Sequence, residues 1–418
     1  MRLNRILLIL STLACFFAQS QNFTEFKKTN NPFQKLQISH LLWQNYLRTD
    51  VDSLKVLALE IQEFDPQNSF LDLTFFSKRI LGCYWVRSGE IQRGKIQLEE
   101  ALFYHQKMGD KESETEELNE LGIAFYMEGD FASAKLYFES SLKAGKESND
   151  PTHFFMAELN LAKVYDRLNL KDKARGIARH YLNEAIKRKK NESTSNAYGF
   201  LSDLALERKN LPLAKEFLDK SITCLGKTDN LFFKAQAMNN LGSYFAALGE
   251  FKQALDYFQK ALELRKEINH RKGIIESYYN LGSLAYMQND FLVAEQLFLQ
   301  GLKKAESDGF TSDQVDFLEF LVEIQKEVKN KDKEIEYYRL FLDLNEKKQE
   351  ILLKNQEENE RLADSFAIQN SNVLAQSPPN YFWTGILVGA GAILLSIILL
   401  NYFFGFNKIS IFSKRYDK

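Results

Sequence analysis

A constant step of 40 residues constrains this chain more than any other feature. Residues 239–264 read NNLGSYFAALGEFKQALDYFQKALEL, with Leu241, Gly242 and Phe245 on one helical face. Gly249-Glu250-Phe251 breaks that periodicity, and Ala254, Phe258 and Ala261 then mark the inner face of a second helix. Gly242 and Ala254 are small enough for two antiparallel backbones to approach closely, while Phe245 and Phe258 fill the space around them. A helix pair of this size cannot bury its apolar face alone and needs neighbours. They are present at the same step: Leu281, Gly282, Ala294 and Phe298 on one side, and Leu201 with Ala214, Leu161 with Ala174, and Leu121, Gly122, Ala134 and Phe138 on the other. Leu81, Gly82 and Leu98 extend the series to the N-terminal side, Leu321 and Tyr338 to the C-terminal side. No insertion or deletion shifts the register between Leu81 and Leu321. The pattern predicts an all-α solenoid whose core is distributed along the stack.

These residues resemble the tetratricopeptide repeat (TPR) in its longer form, the type found in kinesin light chain and in bacterial peptide-sensing regulators. The resemblance covers roughly three quarters of the chain. It implies a right-handed superhelix of antiparallel helix pairs, with the first helix of each pair lining a concave groove. Grooves of this family take extended peptides or partner helices, but the fold does not say which.

Bulk composition adds exclusions. The chain carries 54 basic and 56 acidic residues, so net charge gives no reason to expect a nucleic-acid partner. Six prolines occur, and none interrupts the strongest helical segments. The five histidines stand at no recognised metal-ligand spacing, and there is no phosphate loop, nucleophile elbow or kinase signature. No metal, cofactor or enzymatic activity is expected. Cys15 falls in the leader described next, while Cys83 and Cys224 lie several helices apart, too far for a disulfide, and read as small buried apolar residues.

The ends of the chain predict export and anchoring. Residues 1–20 read as a signal peptide: Arg2 and Arg5, an apolar run from Ile6 to Phe17, then Ala18-Gln19-Ser20. Residues 21–33 are a polar, flexible N-terminus, and 34–66 a capping helix pair with Leu41 in register with Leu81. Residues 67–348 hold about seven repeats. Ile335, Tyr338, Phe341 and Leu342 are expected to pack on the last of them. Residues 349–368 form a polar juxtamembrane helix, either a coiled coil through Leu352, Leu362 and Phe366 or a solvated spacer, since Asn355 and Asn359 fall in the same seam. Residues 369–380 read as a linker and 381–404 as a transmembrane helix, with no charge from Phe382 to Phe404. Lys408, Lys414, Arg415 and Lys418 make 405–418 a short basic tail. The positive-inside rule places that tail in the cytoplasm and the solenoid outside it, periplasmic or extracellular. Gly385, Gly389, Ala392 and Ser396 form one small-residue stripe on the span, which would suit a homodimer, although glycine is common in membrane helices.

The groove holds the candidate binding residues. Asn119, Asn160, Asn239, Asn240 and Asn280 stand just before the repeat leucines. Resemblance to the long-repeat family implies that such amides bond a bound peptide's backbone, for which an amide supplies both donor and acceptor. The competing reading has them bond neighbouring helices. Tyr126, Tyr279 and Tyr286 are candidate anchors, with packing the plainer alternative. Lys163 and Arg167, one turn apart, would receive a carboxylate, unless Asp166 pairs with one of them. The layout resembles bacterial membrane sensors with a TPR ectodomain, yet residues 405–418 are expected to be too few to fold as an output domain. Two roles follow: a membrane-anchored scaffold for proteins or peptides, or a ligand-sensing subunit whose output lies on a separate partner.

Overall fold

The computed structural model describes residues 22–148, 155–226 and 229–376. Among them every regular element is a helix. A short α1 at 22–28 precedes α2 (Pro32–Thr49) and α3 (Val51–Phe64). Helix pairs follow: α4 (Leu71–Arg87) with α5 (Ile91–Met108), α6 (Lys111–Glu128) with α7 (Phe131–Glu147), α8 (Phe155–Arg167) with α9 (Lys171–Lys187), α10 (Asn191–Glu207) with α11 (Leu211–Leu225). The array continues with α12 (Leu231–Ala247) and α13 (Phe251–Glu267), α14 (Arg271–Met287) and α15 (Phe291–Ser307), then α16 (Thr311–Glu327) and the long α17 (Lys331–Gln376). Residues through Asn355 form one compact unit, and a second begins at Gln356.

The repeat has a specific packing cause. A Cβ on Gly242 would lie 2.5 Å from a ring carbon of Phe258. The same contact recurs between Gly122 and Phe138, Gly282 and Phe298, and Gly82 and Leu98, each at 2.6 Å. In the third full pair the glycine becomes Ala162, and the facing residue shrinks to Ala178, both fully buried. In the fourth, Ser202 faces Leu218 and donates to the Ala214 carbonyl at 3.2 Å. A small residue is kept on the first helix at each contact although the residues change, and the Ala162–Ala178 pair is the smallest.

The turns repeat as strictly as the core. Positive φ occurs at Gly89, Gly129, Asn169, Lys209, Gly249, Asn289 and Lys329, one per pair between first and second helix. Asp130, Asn210 and Asp290 follow such residues and cap the next helix by accepting from the backbone N–H three residues on, at 3.0–3.2 Å.

Several expectations at the ends are corrected. The 21–33 segment is not loose throughout: it contains α1, and Phe26 is buried in the N-terminal core. Leu41 is 61% exposed and Leu42 takes the core position, so the capping pair does not keep the repeat register. On α17, Ile335, Tyr338 and Leu342 face solvent, while Tyr337, Phe341 and Leu344 pack on the last repeat. Asn355 is not a seam residue: it is buried, accepts from Lys95 Nζ at 2.9 Å and donates to Glu128 at 3.0 Å. Helix α17 also continues through Gln376, into the stretch that composition marks as a linker. Among the described residues no helix is long and apolar enough to cross a membrane. The signal peptide, the span at 381–404 with Gly385, Gly389, Ala392 and Ser396, and the basic tail all lie outside the described residues.

Candidate functional site: the lumen of the solenoid

The array comes back on itself within its first unit. Asp52 at the start of α3 accepts from Asn269 at 2.8 Å and pairs with Arg271 at 3.0 Å. The α4–α5 turn meets the α15–α16 turn so closely that a Cβ on Gly89 would overlap the Asp308 carbonyl. A cavity of about 110 Å³ remains at this seam, lined by Gly89, Met127, Glu128, Ser312 and Lys348 among others, and is too small for a peptide. Closure brings first helices from distant repeats face to face. Tyr126 on α6 feels the charges of Arg167 on α8, Glu276 on α14 and Asp313 on α16.

The asparagines are cross-links. Asn160 donates to Asn119 Oδ1 at 3.1 Å, and Asn280 donates to Asn239 Oδ1 at 2.6 Å. Asn239 Oδ1 also accepts from Arg265 at 3.4 Å. Asn240 is buried, accepts from Gln236 at 3.0 Å, and its Nδ2 occupies the place a Cβ on Gly199 would take. The same junction elsewhere in the array joins Tyr279 to Phe320, with ring centroids 5.3 Å apart. Between α8 and α10 its two positions hold buried Leu159 and Phe200. One inter-repeat contact site is thus filled by amide pairs, apolar pairs or a glycine–amide pair. The reading in which these asparagines serve neighbouring helices is the one the geometry favours.

The tyrosines divide their surface. The Tyr279 ring packs on Phe298, Phe317 and Phe320, and Tyr286 on Phe291 and Phe320. Tyr126 packs on Phe131 at 5.5 Å, and burial pushes its hydroxyl up to about 12. All three rings are half-buried.

Part of the charge in the lumen is unanswered among the described residues. Lys163 is half-buried, and burial lowers its ammonium pKa, with Glu276 and Asp203 opposing that shift. Among the described residues no carboxylate lies within ion-pair distance of it. Arg167 is exposed, with its guanidinium 5.0 Å from the Phe131 ring centre. Asp166 does not pair with either one: it binds Lys171 at 2.7 Å. Asp203 is half-buried and, among the described residues, has no ion-pair partner; burial raises its carboxyl to about 7, Lys163 opposing and Asp166 and Glu207 adding. Burial works against ionisation of Glu276 as well, but Arg265, Lys272, His270 and Lys163 outweigh it and hold that carboxyl low. Asp316 is raised by burial and by Asp313. Asp203, Glu276 and Asp316 are the lumen residues that motif reading misses. The signal was available, since Asp203 follows Lys163, and Asp316 follows Glu276, by the repeat step of 40. Among the described residues no cluster of three or more His, Cys, Asp or Glu side chains converges as a metal site.

Comparison with known proteins agrees with this architecture. A family model described as tetratricopeptide repeat matches residues 233–307. Among solved structures, a Rap protein complexed with competence and sporulation factor superposes with a TM-score of 0.52 at 15% identity, covering 76% of this chain and 99% of that one. NprR in complex with its cognate peptide NprX gives 0.53 at 17% identity over 84% of this chain and 97% of that one. The Rap conjugation regulator of plasmid pLS20, in complex with the Phr* peptide, gives 0.53 at 15% identity over 69% and 77% of the two chains. These likenesses show the fold: the chain is a TPR-like helical solenoid. A curated relative, outer dynein arm-docking complex subunit 4 of Danio rerio, is 26% identical over 127 residues, 28% of this chain. The match spans about a quarter (26%) of that relative's length.

Proposed function

We propose that the chain is a membrane-anchored, non-enzymatic interaction module that holds a peptide or an extended protein segment in the lumen of its solenoid, on the extracytoplasmic side. The observation that carries this reading is the set of lumen groups that have no ion-pair partner among the described residues, above all Lys163 and Asp203, on the face where first helices converge. Enclosed polar groups cost free energy unless something bonds them. The solved neighbours described as peptide complexes share the fold, which supports a peptide as occupant. The apolar stretch 381–404 and the leader-like residues 1–20 support anchoring and export. With its asparagines engaged between helices, the groove would recognise its ligand through charged and aromatic side chains.

Two experiments test the proposal. Full-length protein in detergent, immobilised and exposed to a random hexapeptide library, should retain peptides, and the variant Tyr126→Ala/Lys163→Ala/Arg167→Ala should lose most of that retention while keeping its helical circular dichroism. Equal retention by both proteins would move the site out of the lumen. Protease added to spheroplasts should digest the solenoid and spare a tag fused after Lys418, and protection of the solenoid would refute the topology.

A further inference from the structure

The junction between α8 and α10 differs from its neighbours in charge and in packing. Four other junctions between first helices carry a polar pair: Arg87 to Glu120 at 2.7 Å, Asn119 to Asn160, Asn239 to Asn280, and Lys272 to Asp313, while between α10 and α12 Asn240 fills the place beside Gly199. At α8–α10 the corresponding contact is the apolar pair Leu159 and Phe200, both in the core cluster that includes Ala174 and Ala178 of α9. That leaves the lumen side of the junction to Lys163 and Asp203, equivalent positions of adjacent repeats and of opposite sign. They are near enough to feel each other's charge and still form no ion pair. An enclosed lysine and aspartate would relieve each other's desolvation by pairing. Their positions on separate helices hold them apart instead, and Asp166 and Glu207, the other charges felt by Asp203, are both engaged by Lys171.

We infer that the lumen takes a peptide carrying an acidic and a basic side chain about three residues apart, the carboxylate seated on Lys163 and Arg167 and the cation on Asp203. This rests on the groove reading above and adds the charge pattern of the ligand. The spacing follows from helix packing: first helices of adjacent repeats place equivalent side chains on the order of 10 Å apart. An extended peptide covers that in about three residues. Arg167 stands one turn beyond Lys163, so the pair presents two cations to one carboxylate. The two sites are of opposite sign, which also fixes the direction in which the peptide lies. Glu276, which faces Lys163 from α14, is already held by Arg265 at 3.2 Å, leaving Lys163 to the ligand.

The test uses the full-length protein in detergent and a hexapeptide library acetylated and amidated at its termini, so that only side-chain charge counts. Wild type should retain a pool enriched about tenfold in peptides with both an Asp or Glu and a Lys or Arg. Asp203→Asn should lose the enrichment in Lys and Arg, and Lys163→Met most of the enrichment in Asp and Glu, with Arg167 alone left to hold the carboxylate, each keeping the other. The exchange Lys163→Asp/Asp203→Lys, made together with Arg167→Gln so that no cation answers the new aspartate, should restore retention with the order of charges along the peptide reversed, an outcome that a purely structural role would not produce. If wild type retains peptides without charge enrichment, or if enrichment survives both single changes, the charge assignment is wrong while the lumen remains a peptide site. If wild type retains no peptide above a blank surface, the groove reading falls and this inference with it.

Discussion

Replacing Gly242 with alanine tests whether the glycine–phenylalanine contact sets the spacing of the array. The new Cβ would sit 2.5, 2.6 and 2.9 Å from three carbons of the Phe258 ring. Ordinary carbon contacts lie at about 3.5–4.0 Å, so the ring or the helix must move by about 1 Å. Phe258 is 4% exposed and packs with Ala254, Leu281 and Leu284, which leaves it little room. Overpacking of this kind costs about 1–3 kcal/mol, against a gain of up to about 1 kcal/mol from alanine's helix propensity. Because the ring has little room to relax, the overpacking cost lies at the upper end, about 2–3 kcal/mol, and the net loss should be about 1–2 kcal/mol. Phe258→Ala alone should cost about 3–5 kcal/mol by opening a cavity. The double variant reproduces the Ala162–Ala178 pair found two repeats earlier, and its cost should fall short of the sum of the singles by about 1–3 kcal/mol. Urea titration followed by circular dichroism measures the global loss. Amide hydrogen exchange over α12 and α13 measures the local one, which matters because a repeat array need not unfold in one step. A neutral Gly242→Ala, or strict additivity in the double variant, would refute the argument.

Three further outcomes follow from the geometry. Asn239→Ala removes the acceptor shared by Asn280 and Arg265 and should lower stability by about 1–2 kcal/mol, seen as faster exchange in α12 and α14; unchanged exchange with weakened peptide retention would return the amide to a binding role. Lys209 holds φ +57 in the turn after α10, where a side chain costs about 1–2 kcal/mol, so Lys209→Gly should raise the urea midpoint, and a lower midpoint would count against that account. Asp203→Asn should make stability less dependent on pH: the native carboxyl titrates at about 7 and the unfolded one near 3.9. Between those values the unfolded state gives up its proton first, so wild type loses stability as pH rises and bears the full penalty only above 7. The variant should therefore gain on the order of 2 kcal/mol over wild type at pH 8, discounted for lumen water, and nothing below about pH 4; equal gains at both values would exclude titration of Asp203 as the cause.

How much of this was legible in the sequence depended on whether one residue type carries a role. The close contact of each pair was legible, because Gly242 facing Phe258 uses a residue whose size is its function. The same contact was less visible where Ala162 and Ala178 stand, since two buried alanines carry no size contrast to read. Turns at Gly89, Gly129 and Gly249 announce themselves, whereas Lys189, Lys209 and Lys329 take the same left-handed backbone with no residue signal. The capping pair misled, because Leu41 keeps the spacing while the helix turns Leu42 inward.

The lumen shows the same limit at the level of function. Lys163 was legible as a candidate because a cation in a groove is conspicuous, but its meaning depends on Asp203 standing across the next junction without reaching it, which no spacing along one helix reveals. The asparagines failed in the opposite sense. Their position before the repeat leucine is the one that the sequence resemblance marked for peptide binding, yet the junction they occupy also holds Leu159 with Phe200 and Tyr279 with Phe320. A site that accepts amide pairs and apolar pairs in turn is selected for contact between helices. On the proposed reading, recognition would fall to positions where charge is enclosed and, among the described residues, unpaired, and Lys163 of α8 and Asp203 of α10 are two such positions.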